Sequence, residues 1–123
     1  MKENEISYDI RGAAFKVYNS LGPGLLESIY EHAMAYELKR MRHLVKTQLG
    51  IPVMYDDVQL DIGFRLDLIV DDLVIIEIKS VDQLIDIHYK QLLSYLKLTN
   101  RKLGLFINFN TTDLKSSIIR IIN

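Results

Sequence analysis

The sequence predicts an α/β sandwich, a mixed sheet of about four or five strands with helices on its faces. Three observations carry this expectation. Two apolar runs, Phe64–Val70 and Leu73–Ile78, flank an Asp71-Asp72 turn and read as a β-hairpin. A helical stretch then separates Leu73–Ile78 from another apolar run, Leu103–Phe109, giving a βαβ unit with parallel strands and a right-handed crossover. Two further helical stretches precede the hairpin.

Taken in order, Ile6 to Leu21 carries Ile6, Ile10, Ala13 or Ala14, Val17 and Leu21 at helical spacing, and Gly22-Pro23-Gly24 stops it. A second helix is expected from about Leu26 to Arg42. Its early turns hold Glu27 and Glu31 and its last turn Lys39, Arg40 and Arg42, matching the helix dipole at both ends. His43 to Tyr55 reads as extended, with Pro52 placing it at an edge or a bulge. Asp56-Asp57 makes a turn, after which Val58–Ile62 runs on into Phe64–Val70 as one long strand with a bend at Gly63. A third helix is expected from Val81 or Asp82 to Leu98. Asn100–Lys102 then turns the chain into Leu103–Phe109, and Ser116–Ile122 closes the fold as a strand or a short helix.

Composition removes several function classes. The chain has 123 residues, 49% of them hydrophobic and 25% charged, as expected of one globular domain spanning 1–123. It has no cysteine, so neither a disulfide framework nor a thiolate zinc site is available, which fits a cytoplasmic protein. No apolar run reaches the ~20 residues of a membrane span, and MKENEISYDI lacks a signal-peptide core. The net charge of −1 sets up no global basic field. There is no glycine-rich phosphate loop, no Ser-His-Asp order and no histidine cluster, which leaves little for a small-molecule enzyme.

Against this background the hairpin is unusual, because Asp67, Glu77 and Lys79 interrupt its apolar strands. A buried carboxylate is costly unless it is paired or binds a cation. Alternation puts Glu77 and Lys79 on the face of Ile75, opposite Val74, Ile76 and Ile78. For Asp67 to meet Glu77, Val70 must pair with Val74, which requires an odd-length turn or a bulge near Asp71–Leu73. On the second helix Glu27, Tyr30 and Met34 share a stripe, and on the third Leu84, His88, Gln91 and Tyr95 do. Taken alone, Glu27 is a dipole-favoured first-turn glutamate and the third stripe a partly solvated edge.

Two motifs change that balance. Gly24-Leu25-Leu26-Glu27-Ser28-Ile29-Tyr30 resembles the signature of the GxxExxY proteins, and LGPGLLESIYE with QLLSYLKLTNRKLGLFINF extends the likeness from about Ile6 to Asn123. That family is placed in the PD-(D/E)XK nuclease superfamily, so the resemblance implies a restriction-endonuclease-type core. Asp67 and Glu77-x-Lys79 match the superfamily's motif residue by residue, although Leu66 stands where its proline would be. Gln91-x-x-x-Tyr95 resembles the Q-x-x-x-Y motif of exonuclease-like members.

The resemblance implies a metal-dependent nuclease acting on DNA, ahead of RNA, in repair or defence. Asp67 and Glu77, with the Ile78 carbonyl and Glu27, would hold Mg²⁺ or Mn²⁺. Lys79 would orient or deprotonate the attacking water, and Gln91 and Tyr95 would position water, phosphate or Lys79. His88 is a weaker candidate on the same stripe. The alternative is an inactive nuclease-fold module that binds nucleic acid or a protein partner. Lys39, Arg40, Arg42, Lys46, Arg101, Lys102 and Lys115 would supply a local basic surface if gathered on one side, a scattered solvated set being the default. So small a domain would grip a duplex better as a homodimer or with a larger partner.

Overall fold

A computed structural model of the chain describes residues 2–123. Helices α1 (Lys2–Leu21) and α2 (Glu27–Arg40) lead into β1 (Val45–Ile51), β2 (Met54–Tyr55), β3 (Val58–Gln59), β4 (Phe64–Val70) and β5 (Val74–Lys79). Helix α3 (Asp86–Thr99), β6 (Leu103–Asn108), a single 3-10 turn (Lys115–Ser117) and β7 (Ile118–Ile122) complete the chain. Five strands form one mixed sheet in the order β1-β4-β5-β6-β7, and β2 and β3 pair separately. Only β5 and β6, joined through α3, run parallel within that sheet.

Helices α1 and α2 cover one face. Ile6, Ile10, Ala13, Val17, Tyr30, Met34 and Leu38 pack there on Val74, Ile76, Ile78, Leu105 and Ile107. Helix α3 covers the other face, where Leu92 and Leu96 meet Ile69, Ile75 and Phe106. Strand β5 is therefore buried on both sides, and Val74 to Ile78 are all buried. This is why VIIEI reads as a continuous run rather than an alternating one. At Gly104 a Cβ would stand 3.0 Å from a Leu92 methyl, so the missing side chain lets α3 lie close against β6.

The β4–β5 hairpin has the register that the charged residues require. Val70 pairs with Val74, Ile69 with Ile75 and Leu68 with Ile76. The turn is three residues long, with Asp71 and Asp72 at φ 53° and 57° and the Leu73 N–H donating to Val70 O at 3.0 Å. Aspartate enters the left-handed region more readily than most residues, which suits an Asp-Asp turn to this geometry. One step beyond Leu68–Ile76, the same register brings Asp67 level with Glu77.

Several expectations are corrected. Helix α3 begins at Asp86, not at Val81 or Asp82, because Ser80–Ile85 spends its backbone groups elsewhere. The Asn108 side chain accepts the Val81 N–H (3.1 Å) and donates to the Val81 carbonyl (3.0 Å), and Ile85 is extended at φ −121°, ψ 165°. Val58–Ile62 is not continuous with Phe64–Val70. Asp56 and Asp57, both at positive φ, turn β2 back into β3, and Leu60 N–H donates to Val53 O at 2.9 Å. The bend falls at Asp61 and not at Gly63, where the missing side chain instead allows a close approach: a Cβ there would lie 2.3 Å from the Ile51 carbonyl oxygen. Helix α1 starts earlier than Ile6, α2 spans Glu27–Arg40 rather than Leu26–Arg42, and Ser116–Ile122 divides into the end of a 3-10 turn and β7. Strand β1, ending just before Pro52, is an edge strand as the proline predicts.

Candidate active site

Asp67 lies where the sheet's regular pairing fails on both sides. The β4–β5 ladder ends at Leu68–Ile76, and the β1–β4 ladder passes from Thr47–Leu68 to Leu49–Leu66, omitting Gln48 and Asp67. Gln48 sits at φ 49°. The alternation of faces breaks at the same level: Leu68 packs under α1 and α2, whereas Leu66 packs under α3. Strand residues two apart normally share a face. Asp67 is thus at the crossover of a strand that changes faces, and its Oδ2 accepts the Ile78 N–H at 2.9 Å. A strand N–H lies in the plane of the sheet, so the Asp67 carboxylate occupies the gap between β4 and β5. The Ile78 carbonyl points to the same side as its N–H, towards this gap.

Glu77 is 6% exposed and its Oε1 lies 3.5 Å from the Asp67 main-chain nitrogen. Burial pushes its carboxyl up to about 9, and the neighbouring Asp67 carboxylate pushes in the same direction, while the Lys79 charge opposes both. Two carboxylates held together away from water resist ionising as a pair. Half-buried Lys79 is two residues along β5, level with Asn108 of β6.

From the other face α2 contributes two glutamates. The preceding Gly-Pro-Gly turn is fastened by Tyr30, whose hydroxyl donates to Gly22 O (2.6 Å) and accepts the Leu25 N–H (3.0 Å). Its ring stacks on Phe109 with centroids 4.4 Å apart. Tyr30 therefore sets the point at which α2 starts. Glu27, in the first turn, accepts the Ser80 N–H at 3.2 Å, joining α2 to the segment after Lys79. One turn on, Glu31 is 8% exposed, and its Oε1 accepts a 2.6 Å hydrogen bond from Gln48 Nε2. Burial raises the Glu31 carboxyl, the Gln48 bond lowers it, and the Asp67 charge raises it again. Glu27, Ser28, Glu31, His32, Gln48, Asp67 and Ile78 line one cavity of about 370 Å³.

Sequence reasoning missed Glu31 and Gln48. Glu31 follows Glu27 by four residues and so shares its face of α2, a signal that was available. Gln48 has none, because its place opposite Asp67 depends on how β1 and β4 kink together.

On the α3 side, the Tyr95 ring stacks on Phe64 with centroids 4.2 Å apart. Its hydroxyl pKa is raised by burial and then by the charges of Glu77 and Asp67, so its phenol lies in their field. Gln91 is exposed, one turn earlier on α3. His88 does not reach back to Glu77-x-Lys79. Its Nδ1 accepts the Ile85 N–H at 3.1 Å and caps the start of α3, which is why the helix begins where it does.

The donor set suits a hard cation that keeps part of its water shell. Among the described residues no group of three or more His, Cys, Asp or Glu is arranged to hold a metal ion. Mg²⁺ is commonly held by only one or two carboxylates together with water. The Asp67–Glu77 pair supplies that number: burial first, and then the Asp67 charge, holds the Glu77 carboxyl up at about 9, and a divalent cation would offset both by favouring the ionised form. No helix of the described residues is long and apolar enough to cross a membrane. A protein-family model for the PD-(D/E)XK nuclease superfamily matches residues 4–121. No curated protein and no solved structure matches the chain.

Proposed function

The chain belongs to the PD-(D/E)XK nuclease superfamily, its five-stranded mixed sheet and three helices forming the restriction-endonuclease-like core, and we propose that it is an active metal-dependent nuclease. One observation carries the reading: Asp67 sits in the gap between β4 and β5, paired with Glu77 and followed across the hairpin by Lys79. Glu77 and Asp67 are the residues that would hold Mg²⁺ or Mn²⁺, with the Ile78 carbonyl beside them and Glu27 or Glu31 reached through water. The bound ion supplies charge neutralisation at the phosphate and a lowered pKa for water.

The chain's own groups do the rest. As an ammonium, Lys79 Nζ offsets phosphate charge and donates a hydrogen bond that orients the attacking water; only as the neutral amine would it instead take that water's proton. Tyr95, wedged on Phe64, offers a hydroxyl in the field of the carboxylates, and exposed Gln91 on the same helix contacts phosphate or water. Gln48 holds Glu31 in place. The Gly24…Glu27…Tyr30 pattern supports membership of the GxxExxY proteins, with Tyr30 fixing the helix that carries Glu27. We read residues 1–123 as one cytoplasmic domain acting on DNA ahead of RNA, in repair or defence, as a homodimer or with a partner where a duplex must be gripped.

The test is cleavage of single- and double-stranded DNA and RNA with Mg²⁺ or Mn²⁺, beside Glu77→Gln, Lys79→Ala and an EDTA control. Metal-dependent cleavage lost in both variants is expected. No cleavage together with no calorimetric binding of Mn²⁺ would overturn the reading and leave a binding module.

A further inference from the structure

The face of α2 that lines the carboxylate cavity continues beyond it. His32 borders both that cavity and a second depression of about 610 Å³, lined by His32, Ala35, Tyr36, Lys39, Arg40 and Thr47. Thr47 and Gln48 are consecutive on β1, so the two hollows share a floor as well as a rim. Because β1 is an edge strand, no further strand among the described residues closes this side of the sheet. The result is a groove along α2 from Glu27 to Arg40, about 20 Å long at 1.5 Å per residue.

Its chemistry changes from end to end. The N-terminal end carries Glu27, Glu31 and Asp67. The C-terminal end carries Lys39 and Arg40 beside Tyr36, a ring left 55% exposed. The Arg40 guanidinium stands 5.6 Å from the Tyr36 ring centroid, a cation–π contact that stiffens the aromatic surface. Glu37 is shared by Arg40 (3.4 Å) and Lys16 (3.3 Å), so one carboxylate is set against two cations, and Lys39 adds a further positive charge to the groove lining. The His32 Nδ1–H donates to Ser28 O at 2.7 Å, leaving Nε2 as that ring's other hydrogen-bonding atom.

An exposed aromatic face beside cations fits an unpaired base and its phosphates, whereas a duplex keeps its base faces stacked inside. We propose that this groove guides a single-stranded nucleic acid towards the carboxylate cavity, with a base stacked on Tyr36 and phosphates on Lys39 and Arg40. The direction of travel rests on the nuclease reading; the binding does not. Phosphates are drawn to the basic end, and they can advance on Asp67 only where the carboxylate charge is neutralised.

The experiment is fluorescence anisotropy of a dye-labelled oligothymidylate and of the matching duplex in EDTA, which prevents cleavage, over a series of salt concentrations. The wild-type chain is expected to prefer the single strand. Tyr36→Ala should weaken that binding about tenfold, as loss of one base–aromatic stack does. Lys39→Gln should reduce the slope of log affinity against log salt by about 0.7, one strand phosphate. Exposed Thr112→Ala serves as the unchanged control. Unaltered affinity in both groove variants, equal or tighter binding of the duplex, or no binding by the wild type would each overturn the groove. Cleavage assayed in parallel separates the two proposals. Cleavage with groove-independent binding removes the groove alone, while groove-dependent binding without cleavage supports the groove and removes the nuclease reading.

Discussion

The Asp67 carboxylate accepts the Ile78 main-chain N–H at 2.9 Å, standing where a strand carbonyl would stand if β4 and β5 stayed paired. An acidic side chain has replaced a rung of the ladder. That substitution satisfies the Ile78 donor and at the same time holds a carboxylate in the plane of the sheet, reachable from α2 on one face and from α3 on the other. The consequences are separable by mutation.

Asp67→Asn keeps an acceptor for the Ile78 N–H and removes one of the two like charges. At pH 8 this variant is expected to unfold in urea at a concentration equal to or above that of the wild type, while metal-dependent cleavage falls at least about a hundredfold. Asp67→Ala should be less stable than Asp67→Asn by about 1–3 kcal/mol, the cost of an unmet buried donor. Equal stability of the two variants would mean that the Ile78 bond contributes nothing.

Gln48→Ala removes the 2.6 Å bond that holds Glu31 beside Asp67. Loss of such a supporting contact typically costs about ten- to a hundredfold in metal affinity, and a drop of that size in Mn²⁺ calorimetry is expected here. Gln48→Glu places a fourth negative charge among Glu27, Glu31 and Asp67 and should lower the urea midpoint of the metal-free protein. Unchanged Mn²⁺ affinity in Gln48→Ala would remove Glu31 from the site.

Tyr30→Phe leaves the stack on Phe109 but strips the hydroxyl from Gly22 O and Leu25 N. The expected loss of stability is about 1–3 kcal/mol. Activity, assayed well below the lowered melting temperature, should fall less than in Glu77→Gln, because Tyr30 touches no reacting group. A loss as deep as that of Glu77→Gln in a stable Tyr30→Phe protein would contradict a purely structural role.

His43 links three elements far along β4 from Asp67. Its Nε2 meets Asp9 of α1 at 2.7 Å, and its Nδ1 meets Asp71 of the β4–β5 turn at 2.5 Å. Burial lowers its pKa, but the Asp71 and Asp9 hydrogen bonds and charges outweigh that and raise it above 6.5. Asp71 moves down despite burial, through His43, the Leu44 N–H and the charge of Lys2. The imidazolium is the form that folding favours, so its contribution is complete below pH 6.5 and disappears as pH rises through the folded value. The contribution of Asp71 is present above 3.8 and disappears as pH falls through its own depressed value. Urea midpoints of the wild type should therefore decline above neutrality relative to His43→Gln, with the two profiles converging in alkali. Parallel profiles from pH 5 to 9 would show that the clasp carries no proton linkage.

Gly63→Ala would set a Cβ 2.3 Å from the Ile51 carbonyl oxygen, a backbone atom that cannot rotate away. Overpacking of this kind costs about 1–3 kcal/mol. The urea midpoint should fall accordingly, and an unaltered midpoint would mean that the chain at Gly63 relaxes freely away from Ile51.

Much of this was legible in the chain because it depends on local pattern. The charges of Asp67, Glu77 and Lys79 stood out against apolar strands, and requiring two of them to meet dictated an odd-length turn, found as Asp71–Leu73. Apolar periodicity located α1 and α2, and the strand–helix–strand order made β5 and β6 parallel. Boundaries were less legible wherever a distant partner took up the backbone. Nothing near Val81 announces that Asn108 will bind it, and so the start of α3 was misplaced by several residues.

By itself the sequence determined the α/β architecture and the identity of the charged residues in the central hairpin, because strand alternation, helix periodicity and turn chemistry act over a few residues. Only the tertiary structure decided what those residues face. The paired kink at Gln48 and Asp67, the switch of Leu66 to the α3 side and the approach of Glu31 all arise from packing two helical layers on one twisted sheet. Such packing sums contacts between residues far apart in sequence, and no local spacing encodes it.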